Sequence, residues 1–202
     1  MSDLTSAYEQ AKSAARDTLR ARLLQVASER LEAEGFEALS MRPLARAAGC
    51  STMVFYTEFR SKDGLLEALA DDVTDRLLEA VETVADIDLT VHRRAVVSAY
   101  LDAVTAMPQG YRVVVRPVPS AHAASGESQA RQRRLRERLV AALRPEDDAG
   151  GAAALALHGL VLALRGAADQ LVAGQAERTD VEPALLALVE AGKPRRTAAP
   201  SA

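Results

Sequence analysis

The chain has few of the residues that stabilise small secreted proteins or build metal centres. Its 202 residues include one cysteine, Cys50, so no disulfide can form within the chain. The three histidines, His92, His122 and His158, are scattered and show no metal-ligand spacing. A glycine-rich phosphate-binding loop is also missing. We therefore expect neither a disulfide-stabilised fold nor a bound metal or cofactor.

Aromatic residues and long apolar runs are scarce as well. Aromatics make up 3% of the chain and tryptophan is absent, so alanine, leucine and valine must fill the core. Alanine and leucine are strong helix formers, which favours an all-α fold. The most apolar stretch, 152–164, contains His158 and is followed by Arg165, so we expect a buried helix rather than a membrane span. The polar N-terminus does not fit a signal peptide, and together with the single cysteine this indicates a cytoplasmic protein.

The charge of the chain gives only a weak indication of its partners. The net charge is −3, yet residues 1–62 carry nine Lys or Arg against eight Asp or Glu, a balance of +1. The remaining residues sum to −4. This asymmetry has the sign expected for a DNA-binding N-terminal part, but it needs the support of a motif.

Hydrophobic periodicity predicts helices along the whole chain. Apolar residues recur at helical spacing in six longer segments, namely 16–33, 63–77, 90–106, 129–143, 152–173 and 183–191. A shorter segment is expected at 111–115. Residues 1–15 lack a pattern and predict a mobile N-terminal arm or a frayed first turn, while 193–202 predict a disordered tail. Loops are expected at 116–128 and 144–151.

Two short helices around a tight turn are predicted at about 40–59. Ser40 and Ser51 are typical helix N-caps, and Gly49 ends the first of the two helices. Ala45 is small enough to let the helices cross closely, and Gly49 accepts a positive φ in the turn. This is the arrangement of a helix-turn-helix, whose second helix enters the major groove of DNA.

These residues resemble the N-terminal signature of the TetR family of transcriptional regulators. The resemblance covers 16–76 and includes a Tyr-x-x-Phe-x-x-Lys pattern at Tyr56, Phe59 and Lys62. It implies an all-α protein with an N-terminal three-helix DNA-binding domain at 16–76 and a C-terminal helical ligand-binding and dimerisation domain at 77–192. It also implies a regulator, usually a repressor, that a small-molecule effector releases from its operator.

The same resemblance implies which side chains reach DNA. Arg42 is the candidate for reading a guanine with two hydrogen bonds, and Lys62 for holding a phosphate at the start of the next helix. Exposed side chains without a DNA contact are the alternative for each position. The predicted DNA-binding residues are Ser40, Arg42, Ser51, Thr52, Met53, Tyr56, Thr57 and Lys62.

The C-terminal part resembles TetR-like C-terminal domains of the WHG type. The similarity lies in 100–115 and in His158-Gly159-Leu160, although the tryptophan that precedes this histidine in the motif is absent. Plain core packing is the alternative to an apolar pocket, and Arg165 faces either an anionic ligand or Asp169, one turn on. The predicted ligand-pocket residues are Tyr100, Val104, Met107, Tyr111, Val114, His158, Leu162 and Arg165.

The last two helices are the candidates for a homodimer interface. Segment 152–173 is apolar nearly all round, which a lone surface helix would not be. With 183–191 it predicts a dimer that reads a palindromic operator in double-stranded DNA, with half-sites about one helical turn apart. Five arginines within 131–138 predict a solvated face rather than a second nucleic-acid site. Two other functions stay open: a dimeric helix-turn-helix protein without a ligand and, more remotely, an all-helical enzyme.

Overall fold

The computed structural model describes residues 2–84, 89–115, 125–144 and 151–191. Within these ranges the chain is helical apart from short turns and contains no strand, which confirms the all-α prediction. A short 3₁₀ helix, Phe36–Ala38, follows the first α-helix. The α-helices are α1 (Ser2–Glu34), α2 (Met41–Ala47), α3 (Thr52–Phe59), α4 (Lys62–Val84), α5 (Leu89–Ala106), α6 (Pro108–Val115), α7 (Gly126–Leu143), α8 (Gly151–Val172) and α9 (Arg178–Ala191).

The N-terminal arm predicted at 1–15 is helical from Ser2 onwards, so the prediction is wrong for residues 2–15. Side chains 5–19 are all exposed, and this stretch therefore carries no apolar stripe that periodicity could detect. Its alanines favour the helix without any packing partner. The stripe begins only where α1 reaches the core, at Leu23, Ala27 and Leu31.

Two other helices begin earlier than predicted. Helix α7 starts at Gly126 instead of 129, with the Ser125 hydroxyl accepting the Ser128 N–H as its cap. Helix α9 starts at Arg178, so that Pro183 lies inside the helix rather than at its start. Arg178 forms ion pairs with Glu182 and with Asp102 of α5, which stabilise the extra turn. The predicted tail and most of the two predicted loops (116–124, 145–150 and 192–202) lie outside the described residues.

The N-terminal core surrounds the helix-turn-helix. Helix α1 contributes its buried stripe, α2 contributes Leu44 and Ala45, and α3 contributes two phenylalanines. The Phe55 and Phe59 ring centroids lie 5.8 Å apart, and both side chains are buried. A helix of eight residues is too short to be stable by itself. The burial of these two aromatic side chains is therefore what fixes its orientation.

Helix α4 belongs to both cores. Its first turns, with Leu65 and Leu69, complete the N-terminal core, and its later turns, from Val73 to Val81, pack into the C-terminal one. Helix α6 also contributes to both, because Tyr111 lies in the C-terminal core and Val113 in the N-terminal core. The predicted domain boundary at 76–77 falls within α4, a continuous helix.

Helix α8 buries only one face in the single chain. Leu155 and Leu162 are 76% and 68% exposed, so the expectation of a buried helix is wrong for that side. Its other side, with Val161 and Leu164, packs into the C-terminal core. By length and composition the segment Leu155–Ala173, with a mean hydropathy of 1.3, is long and apolar enough to cross a membrane.

Candidate DNA interface and ligand cavity

The turn between α2 and α3 has the geometry that the sequence predicts. Gly49 has a φ of 67°, in the left-handed region that a residue with a Cβ rarely adopts. Ala45 is buried, and its carbonyl accepts the Cys50 N–H at 2.9 Å. Ser40 and Ser51 occupy the N-cap positions with extended or near-extended backbone, but neither hydroxyl makes a capping hydrogen bond. The caps are therefore correct in position and not in bonding.

Helix α3 is attached to α1 by two arginines that the sequence did not single out. The Arg20 guanidinium lies 4.6 Å from the Phe59 ring centroid and donates to the Glu58 carbonyl at 2.5 Å. Arg16 pairs with the Glu58 carboxylate at 3.2 Å, and this carboxylate side chain is only 5% exposed. The negative charge of the one acidic side chain of α3 is thus paired and shielded from solvent. A DNA phosphate near α3 would therefore meet less repulsion.

The opposite face of α3 is open to solvent. Met53 and Tyr56 are 71% and 48% exposed, although both are large and mostly apolar side chains. The Thr57 hydroxyl donates to the Met53 carbonyl at 2.9 Å. Because the other face of α3 is buried, the exposed methionine and tyrosine indicate an interaction surface.

The side chain of Lys62, the first residue of α4, lies over an aromatic ring. Its Nζ lies 4.8 Å from the Phe36 ring centroid, at cation–π distance. Ser61 caps this start of α4, because its hydroxyl accepts the Gly64 N–H at 3.1 Å. Of the eight predicted DNA-binding residues, Thr52 is half-buried and the others are exposed, namely Ser40, Arg42, Ser51, Met53, Tyr56, Thr57 and Lys62.

A cavity of about 570 Å³ lies in the C-terminal part, lined by side chains of α4, α5, α6, α7 and α8. Two tyrosines stand at its wall, and their hydroxyl oxygens are 3.5 Å apart. The Tyr111 hydroxyl also lies 3.5 Å from the Arg165 carbonyl. Burial raises the pKa of both Tyr100 and Tyr111, so both hydroxyls stay neutral and are able to donate or accept a hydrogen bond.

The structure brings most of the predicted pocket residues to this cavity. Val104 and Met107 do not line it and are buried in the C-terminal core. Their positions match the core-packing alternative. The predicted residues that do line the cavity are Tyr100, Tyr111, Val114, His158, Leu162 and Arg165.

Sequence reasoning missed the contribution of α7 to the cavity. Arg133 and Arg136, assigned to a solvated face, line it together with Gln129 and Gln132. Of the other arginines in this cluster, Arg131 pairs with two α4 carboxylates, its nitrogens lying 2.9 Å from Asp71 and 3.1 Å from Asp75. Arg134 and Arg138 pair with Glu82 of α4 at 3.2 and 3.4 Å. Arg133, Arg134 and Arg136 are exposed, as a solvated face requires, whereas Arg131 and Arg138 are half-buried beside α4.

Comparison with known proteins finds a family match in the N-terminal part. Residues 23–69 match the sequence model of a family described as "Bacterial regulatory proteins, tetR family". Over these residues the chain is similar to the TetR family. The matched range runs from the buried stripe of α1 through the helix-turn-helix into α4.

A curated relative of this chain is the HTH-type transcriptional activator FasR of Mycolicibacterium smegmatis. The two are 35% identical over 101 residues, which are 49% of this chain and 46% of FasR. The chain thus matches less than half the length of this relative. Both the family model and FasR are described as regulators rather than enzymes.

Solved structures match the fold over most of the chain. A protein of unknown function from Rhodococcus sp. RHA1 has a TM-score of 0.70 at 23% identity, covering 86% of this chain and 93% of its own. A TetR-like transcriptional regulator from the same organism has a TM-score of 0.65 at 24% identity, covering 86% and 94%. A possible TetR family transcriptional regulator from Streptomyces coelicolor has a TM-score of 0.57 at 26% identity, covering 86% and 88%. The likeness extends into the C-terminal part, where the family model does not match.

Proposed function

We propose that this chain is a cytoplasmic transcriptional regulator that binds a palindromic operator as a homodimer. A small molecule in the cavity between α4 and α8 lowers the affinity for DNA, and the protein acts as a repressor. The observation that carries the proposal is α3, which buries Phe55 and Phe59 and leaves Met53 and Tyr56 exposed. A helix fixed in this way is able to present side chains to a major groove without rearranging.

DNA contact is further supported by the charges around α3. Arg42 and Lys62 are exposed, and the α3 carboxylate of Glu58 is paired with Arg16. Basic side chains on the helices before and after α3, Arg42 on α2 and Lys62 on α4, suit phosphate contacts, which fix the register of α3 in the groove. Arg42 has the planar guanidinium needed to read guanine with two hydrogen bonds.

The homodimer accounts for the exposed leucines of the last two helices. Leu155 and Leu162 on α8, and Leu188 on α9, are each more than half exposed. A second copy of the chain, related by a two-fold axis, would cover the same leucines on both partners. The short α3 also needs this second copy, because one recognition helix contacts only a few base pairs.

The cavity suits a small-molecule effector. Its volume of about 570 Å³ lies within the range of about 300–1,000 Å³ typical of ligand sites. Thr74 and Leu77 of α4 line it, and the same helix contributes Leu65 and Leu69 to the N-terminal core. A ligand that favours one position of α4 would change the spacing of the two recognition helices, since it shifts the population of dimers.

One relative supports a different sign of regulation. FasR is described as an activator, so release from DNA would then lower transcription rather than raise it. The sign depends on where the operator lies relative to the promoter, and mapping the bound sites distinguishes the two. A dimeric DNA-binding protein without an effector remains the alternative if no small molecule stabilises the fold.

The test is selection of bound fragments from the genomic DNA of the source organism, repeated across a salt series. We expect a shared palindrome, bound about 10³-fold or more tightly than bulk DNA, with a steep loss of affinity as salt increases. The matched control is the Met53→Ala Tyr56→Ala double variant, which alters only exposed side chains and should lose the preference. Uniform weak binding by the unaltered protein would contradict the proposal.

A further inference from the structure

We infer that the cavity binds an amphiphilic anion, a small molecule with an apolar body and a carboxylate or phosphate head. This inference rests on the proposed function, in which the cavity holds the effector, and adds the chemical class of that effector. It follows from the charges of the lining residues, which include three arginines and neither aspartate nor glutamate. A cationic ligand would find no carboxylate among them to pair with, and a neutral polar molecule would leave the charges of the three arginines unpaired.

The arginines of the cavity are available to a ligand. Arg133 and Arg136 are exposed, and neither forms an ion pair with any other residue in the described ranges. Their neighbours on α7 behave differently, since Arg131 and Arg134 pair with carboxylates of α4. Arg133 and Arg136 are three residues apart, so both project from the same face of the helix.

The third arginine lies across the cavity on α8. Arg165 lines the cavity, and no ion pair joins it to Asp169 or to any other described carboxylate. The pairing with Asp169 that the sequence suggested therefore does not occur. Asp169 is close enough to affect the two tyrosines electrostatically, but it does not line the cavity. Guanidinium groups suit carboxylate and phosphate heads because their planar donors match two oxygens at once.

The remainder of the lining suits an apolar body. Leu77, Leu139 and Val161 are buried side chains whose surface faces the cavity. The exposed arginines and these buried aliphatic residues divide the cavity into a cationic mouth and an apolar interior. Tyr100 and Tyr111 add neutral hydroxyl groups, which are able to orient a ligand without competing for its charge.

The experiment compares four probes with the same ten-carbon chain: decanoate, decyl phosphate, decan-1-ol and decylamine. Each is titrated into the full chain by calorimetry below its micelle concentration, and thermal shifts are recorded in parallel. We expect one or both anions to bind about tenfold or more tightly than the alcohol and the amine, with affinity decreasing as salt rises. A preference for either anion supports the inference and identifies the head group.

Variants of neighbouring arginines provide the matched control. Arg133→Gln and Arg136→Gln should each weaken anion binding roughly three- to tenfold, because each removes one exposed guanidinium from the mouth. Arg134→Gln makes the same change of charge on the same helix, away from the cavity, and should leave the affinity unchanged. Equal effects of all three variants would overturn the inference, as would equal binding of the alcohol or the amine.

Operator binding, measured on the same preparations, separates this inference from the proposed function. If neither anion binds but the operator does, the inference is wrong and DNA recognition stands. If an anion binds through Arg133 and Arg136 without weakening operator binding, the ligand class is correct and effector release is wrong.

Discussion

At the scale of single residues, the exposed side chains of α3 depend on buried ones for their position. Phe55 and Phe59 anchor the helix from below, and Arg20 fixes its C-terminal end through the Phe59 ring and the Glu58 carbonyl. Neither Tyr56 nor Arg42 takes part in the packing of the two phenylalanines or in the contacts of Arg20. Substitutions at the exposed positions should therefore report on DNA binding without a loss of folded structure.

The first prediction concerns Arg42 and Tyr56. Arg42→Ala should weaken operator binding by about 1–3 kcal/mol for each half-site, the usual worth of a bidentate base contact. Tyr56→Phe should also weaken it, by about 0.5–1.5 kcal/mol or more for each half-site, because it removes only the hydroxyl, which on the proposed function bonds to DNA. Gel-shift titration of the selected operator measures both effects.

A matched control separates a specific contact from a change in overall charge. Arg94 of α5 is exposed, with its guanidinium 3.6 Å from Glu190, and it lies in the C-terminal part. Arg94→Ala changes the net charge as Arg42→Ala does, and it should leave operator affinity nearly unchanged. Unaltered affinity of Arg42→Ala and Tyr56→Phe, with thermal stability preserved in both, would exclude these two residues from the DNA interface.

At the scale of elements, α6 connects the two cores. The backbone N–H groups of its first turn donate to the Glu32 carboxylate of α1, Gly110 at 2.6 Å and Gln109 at 3.1 Å. A carboxylate at a helix N-terminus satisfies unpaired N–H groups and interacts favourably with the helix dipole. Beyond this turn, Tyr111 faces the cavity and Val113 lies in the N-terminal core.

The second prediction tests this contact. Glu32→Gln should lower the free energy of unfolding by about 1–2 kcal/mol, because an amide has only one oxygen to accept the two N–H groups and carries no charge. Urea denaturation measures the change. Glu29→Gln, an exposed position of α1 bonded only to Gln25 within the same helix, should have little effect. Equal stability of the two variants would mean that the α1–α6 contact contributes nothing.

The third prediction concerns pH and the junction of α5 with α9. Hydrogen bonds from Ser98 and then from Arg178 hold the pKa of Glu182 below its ordinary value of 4.5. A lowered pKa in the folded state contributes stability at pH values above 4.5, and this contribution is lost as the pH falls through the lower, folded-state value. Glu182→Gln should therefore be less stable than the unaltered protein at pH 7, and the difference should shrink below pH 4.5.

Glu190 provides the comparison for this pH dependence. It lies on α9 too, but its side chain is 61% exposed and its ion pair with Arg94 is long, at 3.6 Å. Glu190→Gln should leave the curve of melting temperature against pH close to that of the unaltered protein. Parallel curves for Glu182→Gln and the unaltered protein would show that this carboxylate contributes nothing to the pH dependence.

At the scale of the whole molecule, the fourth prediction concerns the homodimer. Leu155→Glu combined with Leu188→Glu should give a folded monomer at micromolar concentration, since two buried charges per subunit would oppose association. The same variant should bind the operator far more weakly, because its recognition helices are no longer linked. Sedimentation velocity measures the first effect and gel-shift titration the second.

An exposed leucine outside the proposed interface provides the control for the double variant. Leu19 of α1 is 42% exposed and lies outside the last two helices. Leu19→Glu should leave the dimer intact. A monomer in the unaltered protein, or a dimer that persists in the double variant, would contradict an interface on α8 and α9.

Local signals in the sequence were sufficient for most of the N-terminal part. Gly49 predicted the positive φ of the turn and Ala45 the close crossing, while the family resemblance implied which side chains of α3 are exposed. Such signals act over a few residues, so they survive whatever the rest of the chain does. They failed for α1 before residue 16, where an exposed helix has no apolar face.

The cavity was predicted only in part, for a related reason. The residues of α5, α6 and α8 were found through the resemblance of 100–115 and 158–160 to C-terminal domains of the WHG type. Val104 and Met107 lie on the same helical stripe as Tyr100, and only the packing of α4 and α7 shows which side of α5 the cavity occupies. Arg133 and Arg136 resembled any other charged residues of an amphipathic helix.

The sequence by itself determined that this chain is all-α and that it contains a helix-turn-helix. These properties depend on contacts within one helix or across one turn. The tertiary structure decided which arginines pair with α4 and which border the cavity, and it joined Glu32 to α6 across 77 and 78 positions of the chain. Pairing over such distances depends on which helices pack together and at what angle, and the periodicity of a single helix does not specify its partner.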